Sequence, residues 1–260
     1  MKVEFYKYQG AGNDFVMIDQ RKQKYSLSTQ QIAFLCDRRF GVGGDGLILL
    51  DDSDAYDFKM VYYNSDGNES TMCGNGGRCI VSFAHQLGLI GEQCTFEAID
   101  GLHEALVLSP DHIQLQMQDV NEIVSTENQL FLNTGSPHHI EFVENLEAVD
   151  VATEGSKIRN SELYGKSGSN VNFVNCVNNS IHIRTYERGV EAETLACGTG
   201  VTAAAIAAHH KGHIPSNAIP VKAVGGELKV DFKWDESAKK YHDIWLTGPA
   251  KFVFQGDIEC

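Results

Sequence analysis

Apolar positions in the chain recur with two periods, and the switches between them mark the elements. Val3, Phe5 and Tyr8 open an alternating run that predicts a strand, and GAGNDF (Gly10 to Phe15) turns it toward a second arm, VMID (Val16 to Asp19). A helix follows, running to about Arg38: Ser28 and Gln31 form the pattern of a capping box, and Ile32, Leu35 and Cys36 supply an apolar face. Strand periodicity returns at LILL (Leu47 to Leu50) and DFKMVYY (Asp57 to Tyr63), the latter ending in the turn sequence NSDG (Asn64 to Gly67). Ile80, Val81, Phe83, Ala84 and Leu87 then recur at helical spacing, with Gly88 at the expected C-terminal end. Three strand-like runs close this half: Cys94–Ile99, Leu102–Leu108 and Ile113–Met117.

Around Asp119 the pattern restarts. Strands are expected at Gln129–Asn133 and Ile140–Val143, a polar helix over Leu146–Arg159, and a hairpin joined at Asn178–Asn179. VTAAAIAAHHKG (Val201 to Gly212) is apolar nearly all round, which predicts a buried helix. Strands at Ile219–Val224, Glu227–Phe232, Asp243–Leu246 and Lys251–Phe254 end the chain.

The two halves share one local device. MCGNGGR (Met72 to Arg78) and ACGTG (Ala196 to Gly200) each put a cysteine before a glycine turn that leads into a helix, about half the chain apart. This order predicts a duplication. The expected fold class is α+β, with two pseudo-symmetric domains (residues 1–119 and 120–248), each a mixed or antiparallel sheet wrapped around a central helix. The two cysteine turns are expected to face one another across a cleft.

A cysteine at a helix start lies beside N–H groups without intrahelical partners and beside the positive end of the helix dipole. Both favour the thiolate, and the same N–H groups can hold a carboxylate. Gly74, Gly76, Gly198 and Gly200 let a ligand approach the backbone. A thiolate and a thiol on opposite faces of a carbon are a base and an acid, which is what inversion at an acidic C–H requires. Cys73 and Cys197 are therefore the candidate pair. A lone cysteine before glycine is more often structural, and the repeat is what raises this one above that level.

Other readings are weaker. Gly41, Gly43 and Gly46 match G-x-G-x-x-G, but a helix precedes them and a strand follows, the reverse of a dinucleotide site, so a glycine turn is expected. A cysteine nucleophile with His85, His138 or His139 as base has no support in the spacing. HHKGH (His209 to His213) sits at a helix end, where histidines meet the dipole, and reads as that rather than as a metal cluster. The cysteines number seven, an odd total with no C-x-x-C pair, so a disulfide scaffold or zinc site is not expected, and the five besides Cys73 and Cys197 read as buried thiols.

A net charge of −14 argues against nucleic acid as a partner. No apolar run approaches the roughly 18 residues of a membrane helix, and MKVEFYKYQG lacks the apolar block of a secretory signal. A soluble, cytoplasmic protein without membrane or nucleic-acid partners is expected.

GAGNDF, YNSDG, MCGNGGRC, TGSPHH, YERG and ACGTG, in this order, make the chain resemble the diaminopimelate epimerases over its whole length. The resemblance implies a homodimeric isomerase without cofactor or metal that interconverts LL- and meso-diaminopimelate for lysine and peptidoglycan synthesis. It also implies that a final strand (residues 249–260) returns to the first domain. It implies catalytic roles for Cys73 and Cys197 and substrate contacts from Asn13, Asn64, Gly74, Asn75, Asn170, Glu187, Arg188, Gly198 and Thr199. Arg188 would hold the distal carboxylate bidentately; on their own, Glu187 and Arg188 read as a surface ion pair at a strand end. Asp45 and His138 match recurring positions to which only orienting roles are given.

The chain departs from the family pattern in three places. Gly46 replaces a common glutamine, Ser136 replaces an asparagine, and VEAETL (Val190 to Leu195) is one residue longer than usual. The rival readings are a proline racemase or hydroxyproline epimerase, whose substrate has no distal end for Arg188, and a non-catalytic amino-acid-binding protein, which would need neither cysteine.

Overall fold

The computed structural model describes residues 1–126 and 129–260. The chain divides into two compact units, Met1–Leu115 with Gly248–Cys260, and Gln116–Thr247. The strands of the first unit are β1 (Lys2–Gly10), β2 (Asn13–Asp19), β3 (Gly46–Asp51), β4 (Phe58–Asn64), β5 (Glu69–Ser70), β6 (Gln93–Ala98), β7 (Gly101–Ser109) and β8 (His112–Met117). Those of the second are β9 (Ile123–Ser125), β10 (Gln129–Asn133), β11 (Pro137–Phe142), β12 (Asn170–Val177), β13 (Ser180–Glu187), β14 (Ala192–Thr194), β15 (Ala218–Ala223), β16 (Gly226–Asp235) and β17 (Lys240–Pro249). The last strand, β18 (Lys251–Glu259), pairs antiparallel with β1. Among the described residues four α-helices accompany them: α1 (Thr29–Cys36), α2 (Gly74–Gln86), α3 (Val151–Arg159) and α4 (Gly198–His210).

The duplication is visible in the pairing. In the first unit β1–β2 is antiparallel, β2–β3 parallel, β3–β4 and β4–β5 antiparallel, β4–β6 parallel, and β6–β7 antiparallel. In the second, β10 to β16 repeat that order of parallel and antiparallel pairs strand for strand. α1 and α3 occupy matching places between the first parallel pair. α2 and α4 occupy matching places between the short strand and the second parallel pair.

Each sheet is two-sided. In the first unit Val16, Ile18, Leu47 and Leu49 point to one face and form a buried cluster with Ile32 and Leu35 of α1. Phe15, Met17, Gly46, Ile48, Met60 and Tyr62 alternate to the other face, where α2 packs. α2 is buried from Gly74 to Ala84, and α4 is buried at nearly every position from Gly198 to Ala208. An all-round apolar helix is stable only inside, so each sheet curves about its own central helix.

Local chemistry sets the boundaries that periodicity missed. α1 ends at Cys36 and not near Arg38, because Asp37 takes an extended conformation and its carboxylate accepts from the N–H groups of Arg39 and Phe40. The segment expected as one helix over Leu146–Arg159 is broken. A 3-10 turn covers Leu146–Ala148, and α3 begins after Asp150, whose side chain caps the Thr153 N–H. β11 starts at Pro137, inside TGSPHH, and β18 runs on to Glu259 because Lys2 through Gln9 offer it a partner along nearly its whole length.

Candidate active site

In the first unit Cys73 is the N-cap of α2, in extended conformation, and its Sγ accepts from the Gly76 N–H at 3.3 Å. The sulfur thus does what a serine or aspartate oxygen does at other helix starts. Position 76 is tight for any side chain: a Cβ there would lie 3.1 Å from Ile48 Cδ1 and 3.2 Å from the sulfur. Asn75 is buried, and its Nδ2 reaches Asn13 Oδ1 at 3.4 Å. Asn13 in turn donates to Asp45, and Asp45 accepts from Arg38 at 2.8 Å. Arg38 also grips Asp14 with two bonds of 2.7 and 3.0 Å, and Lys7 pairs with Asp14 at 2.7 Å. Burial pushes the Asp14 carboxyl up, but the bonds from Arg38 and Lys7 outweigh it and hold it at about 2. Asn13 is therefore set from below by a charged network. Asn64, exposed at the end of β4, lies opposite Gly46.

The periodicity gave no notice of Arg78. It is fully buried, and its guanidinium donates to Gly74 O (3.1 Å), Asn75 Oδ1 (2.8 Å) and Pro249 O (3.3 Å), all uncharged. Burial pulls its pKa down to about 10, against the opposing effect of the Cys79 and Cys73 sulfurs. A buried cation coupled to Cys73 favours a negative charge on that sulfur. The available signal was a lone arginine in the otherwise apolar or small run from Gly74 to Ala84.

In the second unit Cys197 holds the N-cap position of α4, without the side-chain capping bond that Cys73 makes, and is 9% exposed. Its Sγ lies 3.4 Å from Thr199 Oγ1, which lies 2.9 Å from His138 Nε2. Asn172 fixes the imidazole. Its Nδ2 donates to His139 O at 2.9 Å and to His138 Nδ1 at 3.0 Å, while its Oδ1 accepts from Thr185 Oγ1. Nδ1 must therefore accept, so the neutral ring carries its proton on Nε2 and donates to Thr199. Burial, and then the charge of Arg188, push His138 down to about 3, so the ring is neutral at ordinary pH. With its oxygen engaged by His138, the Thr199 hydroxyl has its own proton to offer the Cys197 sulfur. The Thr199 carbonyl is tied down by Thr134 Oγ1 at 2.8 Å. Gly200 has no room for a side chain, since a Cβ would lie 2.5 Å from Asn172 Oδ1 and 3.3 Å from His138 Cε1.

Asn170 belongs to the same network. Its Nδ2 donates to Ser136 Oγ (2.9 Å) and Pro137 O (3.1 Å), and its Oδ1 accepts from the Arg188 N–H at 2.9 Å. Glu187, half-buried, accepts from Thr194 Oγ1, and the exposed Arg188 donates to Ser167 O at 3.1 Å. Asn13, Gly74 and Asn75 thus gather at Cys73, with Asn64 at the adjoining strand end. Gly198 and Thr199 follow Cys197 directly, and His138, which Thr199 contacts, leads on to Asn170 and the Glu187–Arg188 strand end. Cys36, Cys79 and Cys94 lie in the core, where burial pushes their thiols up, to about 12 for Cys36 and Cys94.

The family model for diaminopimelate epimerase matches residues 5–123 and 130–253. The chain is 55% identical to the diaminopimelate epimerase of Flavobacterium psychrophilum, over 98% of this chain and 100% of that one. It is 43% identical to that of Chlorobaculum tepidum, over 96% and 98%. Among solved structures, a phenazine biosynthesis protein of the PhzF family from Bacillus anthracis covers 100% of both chains with a TM-score of 0.76 at 15% identity. A hydroxyproline epimerase from Agrobacterium vitis covers 99% of this chain and 92% of its own with a TM-score of 0.69 at 14% identity. These two share the fold. Among the described residues no helix is long and apolar enough to cross a membrane.

Proposed function

Because the chain belongs to the diaminopimelate epimerase family, we propose that it interconverts LL- and meso-diaminopimelate by proton transfer between substrate and two cysteines, without a cofactor. The observation that carries the mechanism is the repeated N-cap: Cys73 and Cys197 stand at the same place in two units of matching topology, each at the start of a buried helix.

One sulfur, as thiolate, takes the α-proton and leaves its electron pair on carbon, conjugated with the α-carboxylate. The other, as thiol, delivers a proton to the opposite face. The epimer forms with the protonation states of the two sulfurs exchanged, and the reverse reaction swaps their roles. The carbanion is costly, so donors aimed at the carboxylate supply the catalysis. The first-turn N–H groups of α2 and α4, at Gly74–Asn75 and Gly198–Thr199, are suited to that task.

Asn13 and Asn64 bind polar groups of the substrate from the first unit. Arg188 takes the distal carboxylate, Glu187 an ammonium group, and Asn170 acts by holding the Arg188 backbone. The functional halves are residues 1–119 with 249–260, and 120–248. A cytoplasmic homodimer fits the substrate's place in lysine and peptidoglycan precursor synthesis. The exposed apolar row Phe252, Val253 and Phe254 on β18 is a surface suited to a second copy.

The test is incubation with LL-diaminopimelate in deuterated water, with reductant and without added cofactor. Deuterium should enter at one α-carbon as the meso form appears. Absence of exchange by folded, reduced protein would overturn the proposal.

A further inference from the structure

The geometry points to Tyr62 as a substrate-contacting residue of the Cys73 half-site, with Gly46 serving to make room for it. The inference rests on the epimerase reading above and extends it to a residue that no motif singled out.

Tyr62 lies opposite Ile48 on the β3–β4 ladder, and Asn64 lies opposite Gly46. Residues two apart on a strand share a face, so Ile48, Gly46, Tyr62 and Asn64 point the same way. Parallel pairing of β2 with β3 brings Phe15 beside Gly46 and puts Asn13 on that face as well. This is the face on which α2 sits: a Cβ at Gly76 would touch Ile48, Met60 and the Cys73 sulfur. Beyond Ile48 and Met60 toward the strand ends, the face is made of Gly46, Tyr62, Asn64 and Asn13. Asn13 is linked directly to Asn75 of the Cys73 turn.

Tyr62 does not stand straight up from its own position. Its ring leans along the sheet, away from Ile48, until it covers Gly46. A Cβ built on Gly46 would lie 2.6 Å from Tyr62 Cε2 and 3.1 Å from its hydroxyl oxygen. The ring meets Phe15 edge-on, at 6.1 Å between centroids, which fixes the lean from the other side. Any side chain at position 46 would displace the ring and would also meet Tyr63 O at 2.6 Å. The effect is to carry the phenol tip toward the end of the sheet where Asn13 and Asn64 stand. Tyr62 is half-buried there, with its ring packed and a hydroxyl that can donate and accept. A rigid ring with a polar tip, leaning toward the strand ends that carry Asn64 and Asn13, the latter linked to Asn75 of the Cys73 turn, is suited to hold a polar substrate at low entropic cost.

Tyr62→Phe isolates the hydroxyl, since it keeps the ring, its packing on Phe15 and the cover over Gly46. With LL-diaminopimelate, the expected result is a KM raised by about tenfold, with kcat within threefold of the parent and an unchanged melting temperature. A KM within twofold of the parent would overturn the inference. So would a loss of activity that tracks a fall in melting temperature, because the role would then be structural. The parent is assayed alongside. An inert parent overturns the proposed function and this inference with it, whereas an active parent with an unaffected variant overturns this inference alone.

Discussion

His138 Nε2 lies 2.9 Å from Thr199 Oγ1, and that oxygen lies 3.4 Å from Cys197 Sγ. Asn172 forces the imidazole proton onto Nε2, so the order of donation runs from Asn172 through His138 and Thr199 to the sulfur. Thr199→Val keeps the shape and removes the link. The kcat for epimerisation should fall by about tenfold or more while KM changes little. Thr199→Ser should stay within a few-fold of the parent. Steady-state kinetics on both variants check this; equal losses in the two would show that the methyl matters and the hydroxyl does not.

Cys73→Ala and Cys197→Ala should each abolish epimerisation while far-UV circular dichroism and the melting temperature stay near the parent's. Each sulfur sits at a helix start, Cys197 buried and Cys73 half-buried, and α2 and α4 keep their buried faces without it. A variant of either residue that retained near-parental rate would sink the two-base assignment.

Asp45 is exposed, yet it receives both Asn13 and Arg38. Asp45→Ala should therefore cost little stability, about 1 kcal/mol or less, but should raise KM several-fold by releasing Asn13. Denaturant melts and kinetics on the same preparation separate the two effects. A large loss of stability with unchanged KM would show that the network serves the fold alone.

His138 is neutral in the folded protein, with its pKa depressed from 6.5 to about 3 by burial first and Arg188 second. Between those values the unfolded chain binds more protons than the native one, so stability rises with pH through this window. The contribution is complete above the unfolded value and is lost as pH falls from about 6.5 toward 3, reaching about 2 kcal/mol by pH 5. Denaturant unfolding from pH 7 to 5 should show the decline, and His138→Gln should make it shallower, with His139, which burial also pushes down to about 4, keeping part of the slope. An equal slope in the variant would mean that other groups carry the dependence.

Gly200→Ala should destabilise the second unit by about 1–3 kcal/mol, because the new methyl would press on Asn172 and His138. It should also lower kcat, since those two residues orient Thr199. Gly212→Ala, just past the C-terminal end of α4, where nothing lies within 4 Å, is the comparison: its cost comes only from a backbone φ of +72°. Thermal melts and kinetics of the pair check whether crowding at the site, and not glycine loss in general, is responsible.

Local patterns were enough for much of this protein. The capping box at Ser28 and Gln31 forms as its spacing predicts, and Gly88 closes α2 with a φ of +69°. α4 is buried because its residues leave it no polar face. The paired Cys-Gly turns were legible because a helix start is a local event, made by a cap residue and the glycines after it. The relationships that act at those turns were not legible. Arg78 reaches Pro249 only because β18 returns to β1, and a periodic pattern carries no record of which strand a buried guanidinium will meet. His138, Asn172 and Thr199 come from β11, β12 and α4, and Tyr62 covers Gly46 from a neighbouring strand. Strand register and side-chain lean decide such contacts. Local residue order sets where each cysteine begins a helix, whereas the donors, charges and rings around the sulfur arrive from distant parts of the chain through sheet pairing, which no local pattern encodes.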